Sequence, residues 1–168
     1  EIRSILDVGC GFGDLYRFLG ENGYRGRYVG LDFVPELIET GRAAYPEADL
    51  RVGDIAEVAE SERFDLVVAS GIFNAKLRNE DNWVHVASTL ATMFRIADVA
   101  AAADFLTSYR DFDRDDLYYA SPEHVFGFAK GLTRRVSLAH HYMPFEFAIC
   151  LYRNDQVGEK ARFGPIAG

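Results

Sequence analysis

Short apolar runs with little internal alternation recur along the chain, separated by helical stretches, and this rhythm leaves few folds open. "FDLVVA", Phe64 to Ala69, is the clearest such run. A strand that is apolar on both sides is covered on both sides, as in a parallel sheet. Ser4 to Val8, Arg27 to Leu31 and Leu50 to Val52 read as earlier strands. Between them, Asp14 to Asn22 reads as a helix ended near Gly23. Pro35 to Tyr45 reads as a helix with proline in its first turn, where a missing N–H costs nothing. Asn82 to Arg95 carries Val86, Leu90, Met93 and Phe94 on one stripe and is expected to be helical. Asp98 to Thr107 is rich in alanine, which favours helix. Its place in the rhythm requires a strand, and a strand is expected. Ser121-Pro122-Glu123 supplies a cap, a first-turn proline and a first-turn acid. A helix is expected from there to Lys130, stopping at Gly131. Arg135 to Tyr142 and Glu146 to Arg153 read as two strands linked around Met143-Pro144. So short a link permits only antiparallel pairing. Repeated β-α units closed by a hairpin predict an α/β domain, with a mostly parallel sheet and helices on both faces.

The chain has 168 residues, the length of one domain, and no internal repeat or linker divides it. Its formal net charge of -8 repels phosphate backbones. The densest basic groups are pairs such as Arg134-Arg135, so no nucleic-acid partner is expected. The two cysteines, Cys10 and Cys150, lie far apart without metal-ligand spacing. A reducing cytoplasm fits that usage, and neither a metal nor a disulfide framework is expected. No apolar run reaches membrane-spanning length and no signal peptide is visible. The first residue is Glu1 and a strand begins almost at once, so an N-terminal segment is expected to be missing. The polar tail after Asn154 is expected to fray.

Ligands of open parallel sheets bind beyond the carboxyl ends of the strands. "DVGCGFGDL", Asp7 to Leu15, occupies that place after the first strand, with Cys10 inside the turn. A phosphate loop requires Lys-Ser or Lys-Thr after its glycines, and Asp14-Leu15 stands there instead. A dinucleotide turn requires a glycine or alanine where this chain has Asp14. An acid there would repel a pyrophosphate at the helix N-terminus. The spacing is instead Gly9, Gly11, Gly13, behind Asp7.

"ILDVGCGFGDL" resembles the first motif of class I S-adenosylmethionine-dependent methyltransferases, and the order of elements resembles that family across nearly the whole chain. The resemblance implies a Rossmann-like, doubly wound, seven-stranded sheet whose last strand runs antiparallel and inserts. It also implies S-adenosylmethionine as cofactor. The bare turn Gly9, Cys10, Gly11, Gly13 suits a ligand that must approach the backbone closely. Asp7 would face the sulfonium or amino group; alternatively it caps the turn. In "GLDFVPELI" Asp32 would accept from both ribose hydroxyls, with helix capping as the alternative. Phe33 would pack on the adenine or in the core. In "VGDIAEV" Asp54 would accept from the adenine amino group and the Ile55 N–H would face a ring nitrogen. Asp54 could equally be an ordinary turn residue.

"ASGIFN" after the fourth strand would line the methyl-transfer end, with Ser70 at the cofactor and Asn74 at the substrate or capping a turn. Ser70-Gly71-Ile72-Phe73 departs from the Asn/Asp-Pro-Pro-aromatic motif of amino methyltransferases acting on adenine or glutamine amides, which argues against those substrates. After the fifth strand, Tyr109, Arg110, Asp111 and Asp113 are candidate acceptor-binding groups, Tyr109 and Asp111 foremost, while Asp115 and Asp116 read as solvated. His140 and His141 alternate across a strand and cannot share an ion. "DLYYASPEHVFGFAKGL" through "HHYMPFEFAICLYR" resembles a group of bacterial methyltransferases and implies no particular substrate. The expected function is methyl transfer to a small-molecule acceptor by in-line displacement. A non-catalytic cofactor-binding module and an aminopropyltransferase-like enzyme on the same fold are the alternatives.

Overall fold

The computed structural model describes residues 2–154, so the tail expected to fray lies outside the described residues. The elements are β1 (Ser4–Val8), α1 (Asp14–Glu21), β2 (Arg27–Asp32), α2 (Pro35–Ala44), β3 (Asp49–Val52), α3 (Ile55–Val58), β4 (Phe64–Ala69), α4 (Asn82–Ile96), β5 (Ala97–Leu106), α5 (Pro122–Leu132), β6 (Val136–Met143) and β7 (Glu146–Tyr152). Among the described residues no helix is long and apolar enough to cross a membrane.

The strands form one seven-stranded sheet in the order β3-β2-β1-β4-β5-β7-β6. β1 pairs in parallel with both β2 and β4, and β4 in parallel with β5. The strand order therefore reverses direction between β1 and β4, and the glycine turn leaves β1 at that switch point. β7 runs antiparallel between β5 and β6, with Ala101 opposite Leu151 and Ala103 opposite Ile149. Only Pro144 and Phe145 separate β6 from β7, which enforces that direction. The alanine-rich stretch is a strand. Ala101 and Ala103 are buried on one of its sides and pair along both edges.

Alternation along the strands divides the core in two. One face carries Leu6, Val67, Phe105 and Phe147 and is covered by α3, α4 and α5. The rings of Phe73, Phe105 and Phe147 stack in series there, with centroids 4.9 and 5.1 Å apart. The other face carries Ile5, Tyr28 and Leu50 under α1 and α2.

Two local features were not apparent from periodicity. α3 is one turn long, too short to show a period, and its N-cap Asp54 accepts from the Ala56 N–H at 2.7 Å. α4 passes straight into β5 with no loop. Its last carbonyls would be orphaned at so abrupt an end. Arg153 donates to the carbonyls of Phe94, Arg95 and Ala97, and Arg63 reaches those of Arg95 and Ala97 while pairing with Asp98.

Candidate functional site

The turn after β1 is tied to β2: the N–H groups of Gly9 and Cys10 both donate to the Leu31 carbonyl, at 2.7 and 3.1 Å. Gly9, Gly11 and Gly13 all have positive φ, at 72°, 56° and 83°. Two of these glycines are needed for different reasons. A Cβ on Gly9 would lie 2.1 Å from the Ile72 Cγ2, so that position is closed by the protein itself. A Cβ on Gly11 would meet nothing within 4 Å, so that position faces open space where a ligand can lie against the backbone.

Asp32 ends β2 and is buried. It accepts from the Gly11 N–H and the Val34 N–H, both at 2.9 Å. Charge-assisted bonds of this kind lock the glycine turn to the start of α2. An ionised carboxylate accepts about four bonds, so two acceptor sites remain for a ligand. Asp32 is not the N-cap of α2, which is Val34, but it accepts from that residue's N–H, and this structural role leaves room for a ligand.

Asp7, on β1, is buried and accepts from the Tyr28 hydroxyl at 2.7 Å. Burial pushes its carboxyl up to about 6; the Tyr28 bond opposes that rise and the Asp32 charge adds to it. Burial likewise raises the Tyr28 phenol, helped by the Asp7 charge, so Tyr28 remains the donor. Cys10 is buried beside both acids, and its thiol is pushed up to about 12 by burial and then by their charges. It is a neutral wall residue, not a nucleophile.

Two cavities have Gly9 in their lining. The smaller, of about 100 Å³, lies between Asp32, Phe33, Asp54 and Ile55 on one side and Ile72, His85 and Thr89 on the other. The larger, of about 610 Å³, is floored by Val68, Ala102 and Ala148 and bounded by Leu15 of α1 and by Tyr142. That volume lies within the range of small-molecule sites. Phe33 is 79% exposed at the smaller cavity, which rules out the core-packing alternative for this ring.

The loop after β4 is fastened to β5. The Ser70 hydroxyl donates to Asp104 at 2.5 Å and the Gly71 N–H donates to the same carboxylate at 2.8 Å. The Asn74 side-chain oxygen accepts from the Leu106 N–H at 3.3 Å, and its backbone carbonyl from the Tyr118 N–H at 2.9 Å. Ser70 lines the larger cavity; Asn74 lines neither. Tyr109 and Asp111 also lie outside both cavities. Tyr109 is largely exposed and donates to Glu123. His140 stacks flat on Phe147 and His141 is exposed.

His85, Thr89, Asp104, Tyr142 and Ala148 were not foreseen as lining residues, and Ile72, within the stretch expected at the methyl-transfer end, lines the smaller cavity. The spacing of His85 and Thr89, one turn apart on α4, was the only signal for that pair.

Residues 5–97 match the family model described as "Methyltransferase domain". The chain belongs to the class I S-adenosylmethionine-dependent methyltransferases. It is 35% identical over 151 residues, 87% of this chain and 90% of the other, to Rv1506c of Mycobacterium tuberculosis, a protein provisionally named a methyltransferase. Among solved structures it resembles the magnesium protoporphyrin IX methyltransferase of Synechocystis with bound S-adenosylmethionine. That match has a TM-score of 0.68 and 13% identity, over 89% of this chain and 69% of the other. A TehB-like methyltransferase from Corynebacterium glutamicum matches with a TM-score of 0.64 and 22% identity, over 90% and 80% of the two chains. The cofactor of this methyltransferase is S-adenosylmethionine. The residues present suit it: Asp7 and Asp32, which accept from neutral donors, match a ligand bearing positive charge and hydroxyls, and the space over Gly11 admits a ligand without a Cβ clash.

Proposed function

We propose that this methyltransferase is a working enzyme that methylates a small-molecule acceptor, with the cofactor's nucleoside in the smaller cavity and its amino acid end, together with the acceptor, in the larger. The observation that supports this reading is that Gly9, within the glycine turn, lines both cavities, so a ligand lying on the turn borders both. Asp32 holds the ribose hydroxyls with its remaining lone pairs. Phe33, Ile55 and Ile72 sandwich the base, and Asp54 stands at the base's edge while capping α3. Asp7 holds the amino group, fixed in direction by Tyr28. Gly9, Cys10, Gly11 and Gly13 form the turn against which the amino acid end lies.

When bound, S-adenosylmethionine supplies an electrophilic methyl on a leaving group that departs as a neutral thioether. The protein then has to align an acceptor behind that methyl and exclude water. Alignment of this kind accounts for up to about 7–11 kcal/mol of a barrier. Asp104 supports alignment by fixing the Ser70–Gly71 backbone beside the larger cavity. Titration calorimetry with S-adenosylhomocysteine, followed by transfer of labelled methyl into a fractionated metabolite extract, tests the proposal. Cofactor binding with label in no metabolite would replace the enzyme by a binding module, and absence of cofactor binding would refute the site.

A further inference from the structure

We infer that the acceptor of this methyltransferase is an amine, captured as its ammonium over the floor of β4, β5 and β7 with Asp104 as its partner, and that carboxylate and phosphate acceptors are turned away. This deepens the proposed function and rests on it. Three observations carry it. The larger cavity, about 610 Å³, extends from the glycine turn across Val68, Ala102 and Ala148 to Tyr142. Val68 packs at the margin of the cluster under α1 and α2, and Ala102 and Ala148 project from the same sheet face outside that cluster. The floor is therefore wide, and the small residues Ala102 and Ala148 leave it deep.

The second observation is the charge of the lining. Asp7, Asp14 and Asp104 all line the cavity, and among the described residues no lysine, arginine or histidine does. Asp14 is shared with Arg17, 3.7 Å away on α1, and with the Tyr45 hydroxyl at 3.1 Å. Asp7 is committed to Tyr28 and faces the turn. Asp104 accepts only from a hydroxyl and a backbone N–H, both neutral, so its charge is uncompensated within these contacts. Glu146 also acts on Tyr142, as Asp104 does, and adds to the negative field at that wall. The third observation is where the cations of this loop region lie. Lys76, Arg110 and Arg114 line a separate cavity, where Arg110 is paired with Asp113 and Arg114 with Asp116.

A carboxylate or phosphate placed over Ala148 would lie against Asp104 with no cationic side chain among the described residues to receive it, whereas an ammonium would be drawn to Asp104. The reaction then balances without a further reactant. The captured ammonium gives one proton to Asp104 or water. The freed lone pair forms the N–C bond as the S–C bond gives its pair to sulfur. A second N–H proton leaves to water where neutral product forms.

The field over the floor is measured with Ala148→Cys in a Cys150→Ser background, S-adenosylhomocysteine bound. Cys10 stays inert because its thiol is buried and pushed up to about 12. The probes are a cationic methanethiosulfonate, bearing trimethylammonium, and an anionic one, bearing sulfonate. Their rate ratio is compared with that on free 2-mercaptoethanol. The expected ratio favours the cation by about tenfold over the free thiol at low salt, and shrinks as salt is added. Asp104→Asn should remove most of the preference. A ratio equal to that of the free thiol, or one favouring the anion, overturns the inference; so does an undiminished ratio in a folded Asp104→Asn protein. In the labelled-methyl assay, label in the cation-exchange fraction supports an amine and label only in the anion-exchange fraction overturns it. Loss of S-adenosylhomocysteine binding would instead mark failure of the cofactor site, which calorimetry reads separately.

Discussion

Asp7 makes cofactor affinity depend on pH in a direction that can be worked out in advance. Its carboxyl is raised from an ordinary 3.8 to about 6, chiefly by burial, in the free protein. A shift of roughly two units corresponds to about 3 kcal/mol. In the free protein the group therefore adds stability that is fully present below 3.8 and is lost as the pH rises through about 6. A cofactor ammonium seated against Asp7 favours the ionised form, so the complex holds fewer protons than the free protein. With a free carboxyl at about 6, close to nine-tenths of Asp7 is ionised at pH 7 and close to one-tenth at pH 5. Affinity for S-adenosylhomocysteine should thus fall about tenfold from pH 7 to pH 5, about 1.4 kcal/mol, while the ligand's amino group stays protonated throughout. Calorimetry in two buffers of different ionisation enthalpy should show proton release, largest below pH 6. Asp7→Asn should bind more weakly at pH 7 and lose the dependence. An affinity that is flat or rises toward acid would refute the placement of Asp7 against the ammonium.

Gly11→Ala and Gly9→Ala should separate binding from folding. The first should lose cofactor binding with a stability cost of about 1–2 kcal/mol from its left-handed backbone. The second should unfold more readily, because its new methyl meets Ile72; chemical denaturation ranks the two, and equal losses would contradict the geometry. Asp32→Ala should weaken S-adenosylhomocysteine binding by at least tenfold and destabilise the turn by about 1.5–3 kcal/mol, since two N–H groups lose a charged acceptor. Tyr28→Phe removes the one contact that lowers the Asp7 carboxyl, so the midpoint of the pH dependence should move upward; a downward move would mean another group controls it.

The parts legible in the sequence are those set by local chemistry. The unalternating run at Phe64–Ala69, the glycine turn, the Ser121–Pro122 helix start and the two-residue link before β7 each fix a neighbourhood of a few residues. Position in the rhythm outweighed alanine's helix preference in β5, because pairing on both edges supplies what propensity lacks. Asp104 was missed for the opposite reason. Its role depends on lying next to Ser70 and Gly71 across the β4–β5 register, and no spacing along the chain encodes that. His85 and Thr89 face a cavity only because α4 packs beside Ile55 and Ile72. Tyr109 and Asp111 were placed near the site from their position after β5, but that loop turns Tyr109 toward Glu123 on α5 and lines a separate cavity.

The position of β7 has a consequence for synthesis. β5 is ten residues long, and its second edge is filled by β7, which emerges after β6 although β6 must end up farther out. A nascent chain ending anywhere before Glu146 exposes that long, alanine-lined edge with its amides unpaired, the kind of surface that invites foreign strands. Closure of this sheet waits for β7 to slide into a slot held open between β5 and β6, which makes the interval before β7 emerges the moment of greatest exposure to aggregation.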